Sequence, residues 1–315
     1  MKSKASAPGK IILFGEHFVV YGVKAILCAI NKRITVTAEE IKEEKIIIES
    51  NIGKLTLNPN KSISKINSPL KPFYYLANKM LQTQDKILGI KITIESEIPL
   101  GAGLGSSSAC CVAGAASISK LFSKKSKKEI LDLAIEAEKT IFQNTSGADC
   151  TVCLYGGIIE FNKNTEFTKI KSKPNFHLVI ANSNIEHSTK LMVAKVKQFK
   201  EKNNEEFVKL CNDESKIIEE VLKILDQNNV KKIGQKIIQN QKYLETIGVS
   251  NKKLRDMIKI GQKFSDGAKI TGAGGGGCIF TLTDRVNVKK IITQFKDKNY
   301  ECFAVKIDFK GLDTF

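Results

Sequence analysis

Over the first hundred residues the apolar positions come in short blocks rich in isoleucine, valine and threonine. Residues 11–14, 33–41, 45–50, 54–57 and 90–98, each bounded by Gly, Asn or Pro, predict strands. Residues 69–84, between the last two, predict a helix. The period then changes, and residues 106–122 and 126–142 predict helices. The second carries Ile130, Leu131, Leu133, Ala134, Ala137, Ile141 and Phe142 at helical spacing. A loop over 143–149 follows, and residues 150–155 and 158–161 flank Gly156-Gly157 as two strands around a hairpin turn.

Around residues 163–175 the chain turns polar and loses periodicity, which places a boundary between a first block, 1–170, and a second, 171–315. The second block opens with a predicted strand at 176–181. A helical stretch over 188–262 follows, with breaks near Asn203, Asn228 and Gly248. Strands at 268–271 and 278–283, a helix at 288–295 and a strand at 302–307 complete it. A chain of 315 residues is near the upper limit for one core, so two domains sharing a cleft are expected, of α+β class.

Composition narrows the function classes. No run approaches the roughly 18 apolar residues of a membrane span, and the start, MKSKASAPGK, lacks a signal-peptide core. A soluble cytoplasmic protein, without a membrane partner, is expected. The eight cysteines lie mostly in apolar runs, so reduced buried thiols are expected. Cys150 and Cys153 form a lone CxxC, with no second pair at zinc-site spacing. The formal charge of +17 raises nucleic acid as a partner, but only Arg33, Arg255 and Arg285 among the 50 basic residues are arginine. Arginine is the residue suited to base and phosphate forks, and the lysines are spread along the chain without aromatic interleaving. No nucleic-acid partner is expected, although the charge would draw anionic substrates toward a cleft.

Candidate chemistry gathers at glycine. Residues 8–22 hold three glycines, 99–109 three and 269–280 five, which is eleven of the 22 in the chain. Glycine costs backbone entropy and is kept where a chain must turn sharply or bring its amides against a ligand. In the middle stretch, PLGAGLGSSSA, the glycines lead into a small-residue helix, and such a turn aims several N–H groups and the positive helix end at one spot. Phosphate is the natural occupant. Each stretch also admits a plainer account: PGK as a turn with a surface lysine, GEH as a loop, the middle as close helix packing, the last as a flexible loop.

Taken together, PGKIILFGEHFVVYG, PLGAGLGSSSA and KITGAGGGGCIF, in this order and spacing, resemble the three signature motifs of the GHMP kinases across residues 5 to 310. The first motif is most similar to the mevalonate kinase branch, because galactokinases usually place arginine at the position of Lys10 and phosphomevalonate kinases typically lack GEH. Residues 138–149 (EKTIFQNTSGAD) and 182–195 resemble two further segments of that branch, although no arginine stands near His187. The resemblance implies a two-domain α+β fold, with an N-terminal domain like ribosomal protein S5 domain 2 and a ferredoxin-like C-terminal domain. It implies ATP-dependent phosphorylation of the primary hydroxyl of (R)-mevalonate by a homodimer, with another GHMP small-molecule kinase as the alternative.

Residue roles are implied in the same way. Asp149 would be the base and Lys10 would bridge hydroxyl, Asp149 and phosphoryl group. Pro99, Leu100, Gly101, Ala102, Gly103, Leu104, Gly105, Ser106, Ser107, Ser108 and Ala109 would wrap the nucleotide phosphates. Ser107 and Glu138 would hold Mg²⁺, an ion that takes hard oxygen ligands. Glu16, His17, Thr271 and Gly272 would join Lys10 on the acceptor side, His17 having a structural hydrogen bond as its other role. No role is implied for His187 or Lys190.

Overall fold

A computed structural model of the chain describes residues 1–84, 89–99, 101–163, 167–186 and 188–315. The first two predicted strands are parts of longer ones, β1 (Lys2–Phe14) and β2 (Ala25–Ile41), paired antiparallel along most of their length. Two features hid this extent in the sequence. Pro8 and Gly9 sit at a register shift inside β1, where a bulge tolerates residues that normally interrupt a strand. Residues 25–30 are buried on both faces, so they lack alternation.

Further along, β2 pairs with β5 (Gly89–Ser96), which runs parallel to β3 (Ile46–Ser50); β3 forms a hairpin with β4 (Gly53–Leu57). The other end of β2 pairs with β6 (Ile158–Phe161), and β6 with β7 (Thr168–Ile170). Four helices accompany this sheet: α1 (Lys71–Leu81), α2 (Ser106–Lys120), α3 (Lys127–Lys139) and α4 (Ala148–Tyr155). Small residues let α2 lie close to β1, β2 and α1, and a side-chain carbon on Gly114 would come within 2.8 Å of the Phe73 ring. Ser126 caps α3 in a capping box with Glu129.

One predicted element changes type. Residues 150–155 are the body of helix α4 rather than a strand, and Gly156-Gly157 ends that helix instead of turning a hairpin. A short apolar run reads alike in a buried helix and a buried strand, and Cys150, Val152, Cys153 and Leu154 are all fully buried. Both glycines do take the positive φ that the expected turn also required.

The second sheet has the order β11-β8-β10-β9, all antiparallel, built from β8 (His177–Asn182), β9 (Gly267–Ile270), β10 (Cys278–Thr283) and β11 (Cys302–Val305). Between β8 and β9 run α5 (Thr189–Lys202), α6 (Asn204–Asp226), α7 (Val230–Thr246) and α8 (Lys252–Gln262), parted at Asn203, Asn228 and Gly248; α9 (Val288–Lys296) precedes β11. Residues 306–315, grouped with the second block on sequence, cross back. Strand β12 (Asp313–Thr314) pairs with β1, and the Arg33 guanidinium binds Asp308, the Gly311 carbonyl and Ser6. One continuous hydrophobic core runs through both halves.

Candidate active site

Lys10 lies on β1 and is 4% exposed. Its ammonium is 3.0 Å from Asp149 Oδ2 and 3.3 Å from the Gly103 carbonyl, and its backbone N–H donates to the Leu104 carbonyl at 2.8 Å. One strand thus holds the glycine loop through both main chain and side chain. Gly101, Gly103 and Gly105 have φ of 67°, 72° and 73°, a region costly for any residue with a side chain. At Gly105 such a carbon would also stand 2.5 Å from Lys10 Cγ. The loop delivers the chain into the first turn of α2, which has no side-chain cap, so its leading N–H groups are available to an anion.

Within the expected phosphate loop, Ala102, Leu104 and Ala109 are buried among apolar neighbours. They anchor the loop through their side chains, and the Ala109 N–H is taken by the Gly105 carbonyl at 2.9 Å. Pro99, Ser106 and the three glycines belong to the described loop, whereas Leu100 lies outside the described residues, as does His187. Ser108 is committed elsewhere, because its hydroxyl donates to Glu138.

Glu138 projects from α3 and is 4% exposed. Its two oxygens accept from the Ser108 and Thr145 hydroxyls, and burial holds its carboxyl above the usual carboxylate range. Ser107 Oγ is buried without a hydrogen-bond partner among the described residues. A hydroxyl lacking a partner and a desolvated carboxylate are hard oxygen donors that fit Mg²⁺ bound mainly by phosphate and water. A cation there would also offset the burial of Glu138. Asp149 sits in the first turn of α4, behind Gly147 in the left-handed conformation, with its side chain 34% exposed.

From the second half, Thr271 follows β9 and its Oγ1 accepts the Ile12 N–H at 3.3 Å. A carbon on Gly272 would lie 3.7 Å from the Gly103 carbonyl, so the two glycine loops face each other at close range. His17 takes φ 64° and is buried; its Nε2 is 2.8 Å from the Ala273 carbonyl, a partner that assigns the proton to Nε2. Burial lowers its pKa, favouring the neutral ring. Glu16, expected on the acceptor side, has its carboxylate in the interior, paired with the fully buried Lys269. Burial pushes the Glu16 carboxyl up and the Lys269 ammonium down.

Two residues near this turn, Glu214 and Asn240, gave no sequence signal, and a third, Lys269, opens the last glycine stretch without a role read for it; all three are fully buried. Lysines and glutamates on helices and strands read as solvated, although Lys269 stands in a four-residue strand with apolar neighbours on either side. The eight cysteines are free, and burial raises the Cys150 and Cys153 thiols well above their ordinary value. Among the described residues no cluster of three His, Cys, Asp or Glu stands ready for a metal, and no helix is long and apolar enough to cross a membrane.

This pairing of an N-terminal glycine loop that opens a helix with a C-terminal glycine loop is the arrangement of a GHMP kinase. Family models described as "GHMP kinases N terminal domain" and "GHMP kinases C terminal" match residues 71–157 and 217–301. Mevalonate kinase from Pyrococcus furiosus is 36% identical over 302 residues, covering 90% of this chain and 89% of that one. The Archaeoglobus fulgidus enzyme is 37% identical over 279 residues, covering 88% and 91%. The crystal structure of the Methanococcus jannaschii mevalonate kinase superposes with a TM-score of 0.86 at 30% identity, covering 97% of this chain and 98% of that one. The chain belongs to the mevalonate kinase family of the GHMP kinases. The L. major mevalonate kinase, solved in complex with R-mevalonate, shares the fold at 23% identity and a TM-score of 0.83.

Proposed function

We propose that this protein transfers the γ-phosphoryl group of ATP to the primary hydroxyl of (R)-mevalonate, giving 5-phosphomevalonate by direct in-line transfer. The observation that carries the mechanism is the Lys10–Asp149 pair, 3.0 Å apart and set against the glycine loop. Phosphoryl transfer asks a protein for alignment, charge neutralisation and a group to take the proton of the attacking hydroxyl. Asp149 accepts that proton as the attacking oxygen forms its bond to phosphorus and the bond to the ADP oxygen breaks. Lys10, buried and so little screened, stabilises negative charge on the hydroxyl oxygen and the transferring phosphoryl group. The amides of the loop and of the first turn of α2 hold the nucleotide phosphates. Ser107 and Glu138 would hold Mg²⁺, which supplies charge neutralisation at the phosphates when bound.

On the acceptor side stand His17, Thr271 and Gly272, with Glu16 acting from behind. Support for mevalonate over other acceptors comes from the relatives at 36% and 37% identity and from the GEH turn after β1. The same family membership supports a cytoplasmic homodimer. The test is ADP release from the purified protein with Mg-ATP and mevalonate, phosphomevalonate, galactose or homoserine in turn. Turnover with mevalonate is expected; turnover with another member of that panel and none with mevalonate would overturn the assignment.

A further inference from the structure

Glu214 lies at the middle of α6, far in sequence from every glycine motif, and is completely buried. Its Oε1 accepts the Gly15 N–H at 2.8 Å. Lys269, from β9, donates to the Leu13 carbonyl at 3.1 Å and to the Glu16 carboxylate. Two side chains from the second half therefore grip the end of β1 at three points, Leu13, Gly15 and Glu16. Asn240 of α7 lies beside Glu214, and both carboxylates interact with the one ammonium.

Stability does not account for such a cluster. Two carboxyl groups and one lysine taken out of water lose their hydration, and apolar side chains of the same volume often hold a core as well or better. What the cluster supplies is position. Immediately after the gripped residues, His17 is held at φ 64°, a conformation a non-glycine residue keeps only when its surroundings enforce it. From there its ring reaches the Ala273 carbonyl in the C-terminal glycine loop. The nucleotide loop is held separately, through Lys10 and the Leu104 carbonyl.

We propose that Glu214 is a positioning residue for the acceptor: with Lys269 it clamps the Gly15–His17 turn against the second sheet, fixing the acceptor wall of the cleft while leaving the nucleotide loop untouched. This rests on the acceptor chemistry proposed above. Glu214→Met keeps length and volume but gives Gly15 no acceptor oxygen; Glu214→Gln keeps that oxygen without the charge.

The experiment measures KM for mevalonate, KM for ATP and kcat for both variants and the unsubstituted full-length protein, with circular dichroism to check folding. Losing one buried hydrogen bond of ordinary strength corresponds to about tenfold. Glu214→Met is therefore expected to raise KM for mevalonate about tenfold with KM for ATP within about twofold, and Glu214→Gln to restore the acceptor KM. An unchanged acceptor KM in Glu214→Met, or a parallel rise in both KM values, would overturn the proposal. Should Glu214→Met not fold, Glu214→Asp replaces it, since the shorter side chain withdraws the oxygen from Gly15 while keeping charge. The acceptor KM is then expected to rise in the Asp variant and not in the Gln variant, and equal values or the reverse order would overturn the clamp. If the unsubstituted protein turns over a different acceptor, the proposed substrate fails, and the KM for that acceptor tests the clamp in its place.

Discussion

Asp149 makes its ion pair with Lys10 while about a third of its side chain remains exposed, so the proposed proton transfer can be tested at this residue. Asp149→Asn is expected to lower kcat by about 10²-fold or more, the usual scale for a general base, with ATP affinity by calorimetry nearly unchanged. Gly105→Ala tests the loop from the other side. The added carbon meets Lys10 Cγ at 2.5 Å in a backbone conformation at φ 73°, so kcat/KM should fall at least about tenfold, as small displacements of catalytic groups do. A kinetically normal Gly105→Ala enzyme would show that the loop does not set the position of Lys10. Lys10, Glu138 and Asp149 stood out in the sequence because each belongs to a motif whose spacing is informative, and the structure pairs Lys10 with Asp149 and buries Glu138. Glu214 did not, nor did the part played by Lys269, although it opens a motif, because their significance lies in being fully buried side by side, and residues 55 apart in sequence give no local sign of that.

At the level of elements, helix α4 connects chemistry to scaffold. Its first turn carries Asp149, and its last residues are fixed by the returning tail. Leu312 N–H donates to the Leu154 carbonyl, Gly157 N–H donates to the Asp308 carbonyl, and Gly156 and Gly311 pack backbone to backbone. A methyl on Gly311 would press on the Gly156 amide in a residue at φ 71°. Gly311→Ala is thus expected to destabilise the protein by roughly 1–3 kcal/mol, read from its urea midpoint; an unchanged midpoint would remove this contact from the scaffold. The strands with alternating faces and the amphipathic helices were read correctly in kind from sequence. What failed was α4, whose apolar residues face the interior all round, and the inner part of β2, for the same reason. Periodicity reports an environment with two sides, and an element buried on every side has none.

Considered whole, the molecule is two sheets sharing one core, joined at the cleft by buried charges, and this has a pH signature. Burial raises Glu214 to about 7 from its ordinary value near 4.5, with Lys269 opposing the rise and Glu16 adding to it. The folded state then holds a proton that the unfolded chain releases, so this group costs stability as pH rises from about 4.5 through about 7, by at most about 1.4 kcal/mol per pH unit. Urea unfolding of wild type and Glu214→Gln at several pH values should show the wild type losing ground to the variant across that window, and a constant difference would refute the titration. The crossing of residues 306–315 has another consequence, one of timing. The N-terminal sheet acquires β12 and the Asp308–Arg33 bridge only after all of the second sheet has been synthesised, so the first half of the nascent chain waits, with Ala5 and Ser6 of β1 unpaired on that side, until residues 306–315 have been made. Slowing elongation over residues 171–305 should therefore prolong a state open to chaperones and to edge-to-edge association, in an enzyme whose finished fold pairs that part of β1 with β12.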